Sequence, residues 1–313
     1  MERSNQTQAT EFILLGLSSI PEVESFFFVI FLLIYMITLA GNILIIIIIC
    51  LDKHLHTGMY YFICNLSFLD CCYSTVTVPK MLANLLLKKK TISFTACMLQ
   101  LYFFASLVSA ESLLLAAMSV DRYIAICRPL HYARIMDQRT CSWMAAMFWV
   151  VGFLNSAVHV TLMSRLSFCK SNEIQHFFCD FPPLFKLSCS KTFINILVIL
   201  TLGWFVGFGG LLIKIVSYAF IITTILNIKS SEGRTKAFST CASHLTVVII
   251  FYAVLLFTYF RPTTTNSFSI DRFVSVVYSI LTPMVNPMIY SLRNTEIKKA
   301  VRKIIDRIQR VTK

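Results

Sequence analysis

An all-α membrane protein, built as a seven-transmembrane helix bundle with a short amphipathic cytoplasmic helix after the seventh span, is the fold class this sequence predicts. Three observations predict it. Of its 313 residues 57% are hydrophobic and only 14% charged, where a soluble chain carries about a quarter charged residues. The apolar residues fall into seven runs, most of them at or above the ~20 residues that cross a bilayer. Lys and Arg collect on alternate connecting segments, which sets an orientation.

The runs are Phe26–Leu51, Met59–Pro79, Thr91–Val120, Thr140–Ser164, Thr192–Ile228, Ala237–Phe260 and Phe273–Leu292. They divide the chain into a tail (residues 1–25), a membrane domain (26–292) and a basic tail (293–313). The first 25 residues carry Glu2, Glu11, Glu22 and Glu24 against Arg3 and lack an early apolar core, so the first span is expected to act as an uncleaved signal anchor. With that tail outside, inner segments hold Lys53, Arg128, Arg134, Arg139, Lys229, Arg234, Lys236 and a run of eight from Arg293 to Lys313. The outer triple lysine, Lys88 to Lys90, weakens this bias without reversing it. Asn5-Gln6-Thr7 is a glycosylation acceptor on the lumenal side, so Asn5 is expected to be modified; Asn65, inside a span, is not. This is the orientation of a multi-pass protein with its N-terminus outside, expected in the plasma membrane with an extracellular N-terminus. The net charge of +13 fits anionic lipid and an acidic partner surface, and nucleic acid is not a partner.

In span two Asp70, in span three Glu111 and at its end Asp121 break the apolar rule, and intramembrane ionisable groups point to function. Asp70, Glu111, Asn42, Ser67 and Asn286 sit at comparable depths. A sodium ion, a proton, or a purely structural hydrogen-bonded network would each satisfy that set, and no other metal site or cofactor is indicated. Lys80 is expected to reach outward from its span; Lys214 either snorkels toward the cytosol from a long fifth helix, the favoured reading, or pairs with an acid. Asp121-Arg122-Tyr123 ends span three at the water–lipid boundary. Span seven carries Pro283 and Pro287 around Asn286, which predicts a kinked helix. After it, Ile297, Ala300, Val301, Ile304, Ile305 and Ile308 recur at helical spacing against basic residues, as in a helix lying on the inner leaflet.

Of the 11 cysteines, Cys50, Cys64, Cys71, Cys72, Cys127, Cys141 and Cys241 lie in spans or on the cytosolic side, where thiols stay reduced. Cys97, Cys169, Cys179 and Cys189 lie outside and allow three pairings. Tying Cys97 to the long outer loop would lay that loop over the bundle mouth.

Gly41-Asn42, LHTGMYYF (Leu55–Phe62), MSVDRYIAICRPLHY (Met118–Tyr132), HFFCD (His176–Asp180), Ser217-Tyr218, KAFSTCASHL (Lys236–Leu245) and PMVNPMIYSLRN (Pro283–Asn294) occur in this order. With them the chain resembles class A (rhodopsin-like) G-protein-coupled receptors, and among them the vertebrate odorant receptors of the terrestrial, class II branch. It departs from their usual pattern at Gly58, Tyr61, Ser119, Val120 and Ala253.

The resemblance implies disulfides Cys97–Cys179 and Cys169–Cys189. It implies a small volatile odorant bound among Phe104, Ala105, Val108, Ser109, Ser112, Leu202, Val206, Leu255, Leu256, Tyr259, Ser275, Val276 and Ser279. No acid stands in span three at that depth, which disfavours an amine. It also implies a switch formed by Asp121, Arg122, Tyr123, Tyr218, His244, Tyr252, Asn286, Pro287 and Tyr290. The implied partner is a heterotrimeric stimulatory olfactory G protein that raises cyclic AMP. No nucleophile elbow or metal-ligand spacing suggests an enzyme. A transporter is disfavoured because the two halves show no inverted repeat or paired broken helices; the alternative is a non-olfactory class A receptor for a peptide or lipid, or an odorant receptor used outside the nose for another small ligand.

Overall fold

The computed structural model describes residues 10–17, 20–87, 89–169, 171–260, 268–293 and 296–303; side chains at 204, 236, 239, 240, 243, 259, 260, 268–271 and 290–293 are not among those described. Seven long helices appear among the described residues: α1 (Pro21–Leu51), α2 (Gly58–Leu86), α3 (Phe94–Cys127), α4 (Gln138–Ser164), α5 (Phe193–Leu226), α6 (Ser231–Phe260) and α7, which starts at Phe268 and ends at Arg293. Of these, α1, α3, α4 and α5 are long and apolar enough to cross a membrane on that measure alone. α2 carries Asp70, Asn84 and Lys80, which dilute its apolar character.

α3 is the axis of the bundle. Of its most apolar stretch 78% is buried, against 28% for α1, 22% for α4 and 6% for α5. Small residues let α4 approach it closely: a Cβ on Gly152 would fall 2.6 Å from the Ser106 carbonyl oxygen. Ser156 Oγ donates to the Tyr102 carbonyl at 2.7 Å in the same seam. Where both helices are apolar toward lipid, such close packing and cross-helix hydrogen bonds hold them together. α3 also runs further than its apolar stretch, so Asp121-Arg122-Tyr123 lies inside the helix, four residues short of its end at Cys127. α1 likewise begins at Pro21 rather than at Phe26, its first turn holding Glu22 and Glu24.

Two helices are interrupted. α5 contains a π-turn at Trp204–Phe208, beside Gly203, Gly207 and Gly209, and α7 contains one at Val277–Leu281, just before Pro283. A π-turn inserts a residue and leaves carbonyls turned out of the ladder, a frequent feature of functional sites.

Strands add to the all-helical expectation. β1 (Glu11–Leu14) pairs antiparallel with β2 (Thr91–Ser93) and parallel with β3 (Glu173–Ile174). Phe12 and Leu14, alternating to one face, are fully buried with Phe168 and Ile174. The N-terminal segment, the α2–α3 connection and the α4–α5 connection thus form one lid over a single end of the bundle. Two disulfides fasten it, Cys97–Cys179 (Cα–Cα 5.5 Å) and Cys169–Cys189 (5.9 Å). Lys80 Nζ donates to the Thr91 carbonyl at 2.7 Å, and Lys90 pairs with Glu24.

Residues 296–303 are helical. Ile297 and Ala300 are buried, while Lys303 reaches Asp52 at 3.5 Å.

Candidate functional site

A cavity of about 490 Å³ lies between α3, α4, α5 and α6 beneath the lid. Of the residues placed on a ligand site from sequence, Phe104, Ala105, Val108, Ser109, Ser112, Val206, Leu255 and Leu256 line it. Leu202 does not; its neighbour Gly203 takes that place at the edge of the π-turn. The Tyr259 side chain falls outside those described.

Ser275, Val276 and Ser279 are not part of the wall. Ser275 Oγ lies 2.9 Å from His176 Nε2, tying α7 to the lid, Ser279 Oγ donates to the Ser275 carbonyl at 2.6 Å, and Val276 packs against the main core. Aromatic rings stand between α7 and the cavity. Tyr278 meets Tyr73 at 5.6 Å and Phe104 at 6.0 Å, and Phe104 meets Phe178 of the lid at 4.8 Å. Edge-to-face and tilted rings of this kind fill space efficiently, so the pocket is confined to the α5 side of α3.

Two contributors were not anticipated. α4 supplies Asn155 and His159, and the lid supplies Phe181, Pro182, Phe185 and Lys186. Asn155 Nδ2 donates to Ser109 Oγ at 3.0 Å. His159 is buried against the edge of Phe181, and its Nδ1 has no hydrogen-bond partner among the described residues. Asn155 and His159 stand four apart in an apolar run, one helical turn, and that polar pair was a readable signal.

The floor is polar. Tyr252 Oη donates to the Gly207 carbonyl at 3.0 Å and sits 3.1 Å from Ser112 Oγ, which also reaches the Val206 carbonyl at 3.2 Å. Both carbonyls belong to the π-turn. Behind them Lys214 Nζ donates to Tyr252 Oη at 2.8 Å and to the Ser112 carbonyl at 2.9 Å. Lys214 is only 1% exposed, so it turns into the bundle instead of snorkelling to the cytosol. The bundle interior offers it oxygen acceptors one helical turn from the π-turn, while the lipid side of α5 offers none.

Below the floor Asn286 Nδ2 donates to both carboxylate oxygens of Asp70, at 3.0 and 3.2 Å. Asn42 joins them only through backbone, donating to the Pro283 and Thr38 carbonyls at 3.0 Å each. Glu111 is buried within electrostatic reach of Asp70 and Lys214. Among the described residues, no group of three or more His, Cys, Asp and Glu side chains is placed to hold a metal ion.

At the end opposite the lid, Arg122 donates twice to Asp121 Oδ2, at 2.6 and 3.1 Å. Tyr132 Oη donates to Asp121 Oδ1 at 2.8 Å, and that shared carboxylate holds the Tyr132 phenol well above its usual range, after burial as the larger cause. Gly58 opens α2 against this group: a Cβ there would lie 2.9 Å from Asp121 Oδ1. Tyr218 Oη and His244 Nδ1 are hydrogen-bonded at 2.6 Å across α5 and α6. Tyr123 packs on Phe220 of α5 at 5.8 Å. Pro287 packs against α1, lying 3.4 Å from where a Gly41 Cβ would be. The Tyr290 side chain and Asn5 fall outside the described residues.

The chain matches known proteins along almost its whole length. A family profile described as Olfactory receptor covers residues 31–307. The chain is 50% identical to human (Homo sapiens) Olfactory receptor 5F1, with 98% of each chain aligned. It is 47% identical to mouse (Mus musculus) Olfactory receptor 5AR1, over 97% of this chain and 98% of the relative. It is 49% identical to human Olfactory receptor 6N1, over 98% and 99%. Squid rhodopsin shares the fold with a TM-score of 0.68 at 20% identity, over 93% of this chain and 87% of that one. The chain belongs to the olfactory receptor family, a family of signalling receptors rather than enzymes.

Proposed function

We propose that this member of the olfactory receptor family binds a small volatile odorant in the cavity beneath the lid, and that it activates a heterotrimeric stimulatory olfactory G protein, raising cyclic AMP. The N-terminus and lid face outward, Asn5 carries a glycan, and the Arg122 end faces the cytosol.

One observation carries the reading. α6 holds Tyr252 in the cavity floor and, eight residues earlier, His244 at the Arg122 end. That is about 12 Å along one rigid helix. A ligand that binds one arrangement of Tyr252 better than another biases the position of His244, and only such a difference in affinity transmits a signal. The cavity is mostly apolar with a few hydroxyls, which suits a small volatile of modest polarity. Of the remaining switch groups, Asp121, Arg122 and Tyr123 on α3 and Tyr218 on α5 lie near the His244 end of α6, while on α7 Asn286 binds Asp70 and Pro287 packs against α1 ahead of Tyr290. Moving that end of α6 frees Arg122 from Asp121 and opens a cleft for the G protein.

The test is cyclic AMP in cells that express the receptor and the G protein, against a broad panel of volatiles, with surface level measured. Responses that vanish when Val108→Trp fills the cavity are expected. Silence across the panel at verified surface level overturns the reading.

A further inference from the structure

The buried lysine has no part in the fold that packing alone explains. Lys214 carries three N–H protons, and the structure gives it two oxygen acceptors, the Ser112 carbonyl and Tyr252 Oη. Tyr252 and Ser112 each add a hydroxyl proton, and these point to the Gly207 and Val206 carbonyls of the π-turn. Both hydroxyls line the cavity, and Lys214 stands behind them. The floor is therefore two hydroxyls whose protons meet π-turn carbonyls, backed by the Lys214 amine, with Glu111 within its electrostatic reach. No carboxylate lines the cavity among the described residues.

We infer that Lys214 determines ligand class: acting through the Tyr252 and Ser112 hydroxyls, it makes the cavity floor select volatiles that carry a neutral carbonyl group, aldehydes and ketones. The inference rests on the cavity being the odorant site. A ligand carbonyl is the same kind of acceptor as the two π-turn carbonyls that the hydroxyls already bind. It can take a hydroxyl proton at the floor in place of one of those carbonyls. The ammonium 2.8 Å from Tyr252 Oη polarises that hydroxyl and strengthens the bond it donates. A hydrocarbon brings no acceptor. A protonated amine brings a charge into a low-dielectric pocket with no carboxylate on its wall among the described residues. Lys214 is a positioning residue here, because it acts on the ligand through Tyr252 and Ser112.

The experiment uses the full-length receptor in cells with its G protein and reads cyclic AMP. The probes are straight-chain, branched and aromatic skeletons, each presented as an aldehyde, a methyl ketone, the parent hydrocarbon and the primary amine. Carbonyl members should act at about tenfold lower concentration than the hydrocarbon or amine of the same skeleton, the worth of one net hydrogen bond. Equal potency across the classes overturns the inference while leaving the odorant reading intact; silence across the whole panel overturns the odorant reading itself. Lys214→Met should flatten the ratio and Lys214→Arg should keep it. The ratio is internal to each variant, so altered expression cancels. If Lys214→Met fails to reach the surface, Tyr252→Phe should flatten the ratio in its place. A ratio unchanged in these variants, or one lost instead in His159→Phe at the other pole of the cavity, overturns the inference.

Discussion

The two ends of the bundle are held by different chemistry. At the lid end three strands pair, two disulfides close, and Gln100 clamps the lid by accepting from the Cys179 amide at 3.0 Å and donating to the Val76 carbonyl at 3.0 Å. At the Arg122 end the contacts include side-chain hydrogen bonds, an ion pair within α3, and apolar packing such as Tyr123 on Phe220, with no covalent crosslink among the described residues. Covalent and ladder bonds hold a geometry through a signalling cycle. A hydrogen-bonded ion pair can change partners when a neighbouring helix moves, which a covalent crosslink cannot. The contrast teaches where motion belongs: the lid fixes the pocket roof, and the opposite end is free to rearrange.

The strongest way to break this comparison is to cut the lid. Cys97→Ser removes a crosslink between residues 82 apart in sequence, and Cys169→Ser one between residues 20 apart. Each costs roughly 2–4 kcal/mol, and on chain entropy the longer loop costs about 1 kcal/mol more. Surface labelling should show both variants depleted, Cys97→Ser more so. A Cys97→Ser receptor at normal surface level would show that the lid does not hold the bundle.

Arg122→Ala should leave odorant binding nearly intact while silencing cyclic AMP, since the residue sits at the end away from the cavity. Ligand binding and signalling measured at matched surface level check this. Full signalling by the variant would remove the switch from that end.

Smaller changes at the same end should move the resting balance. Tyr132→Phe deletes the 2.8 Å bond to Asp121, and Asp121→Asn weakens the partner of Arg122. Each is expected to raise ligand-free cyclic AMP severalfold, the effect of about 1 kcal/mol on a two-state equilibrium. Gly58→Ala should do likewise, because its Cβ would crowd Asp121 Oδ1. Unchanged basal signalling in all three would mean the resting state is held elsewhere.

The mildest effect is that of pH on the lid. Burial, with the charge of Arg272 nearby, drives the His176 imidazole from its usual 6.5 down to about 3. The unfolded chain then binds more protons than the folded one between those values. Lid stability is therefore fully present above pH 6.5 and declines as pH falls toward 3. Thermal unfolding of the purified receptor between pH 7.5 and about 5 should show this loss, and His176→Asn should remove it.

Much of the architecture was legible because the bilayer admits few solutions. Long apolar runs of the right length become helices whatever their neighbours, and an acid or lysine inside one stands out against them. Asp70 and Asn286 could be paired on paper for that reason. The polar pair Asn155 and His159 was equally visible and went unread. The lid sheet was not legible: four residues near the N-terminus, three before α3 and two in a loop carry no period of their own, and they become strands only by meeting. The same holds for the α7 residues. Ser275 and Ser279 have the right depth for a pocket, but Tyr73, Phe104 and Tyr278 from three helices fill the space in front of them.

The sequence by itself determined the spans, their order, the cysteines that lie outside the apolar helices near the lid and the family, since each depends on local composition or a contiguous motif. Only the tertiary structure decided which side of α3 is hollow and where the Lys214 ammonium goes. Both depend on side chains from helices distant in sequence competing for one volume. A lysine that looks free to snorkel along its own helix finds the Ser112 carbonyl and Tyr252 hydroxyl only once α3, α5 and α6 have packed.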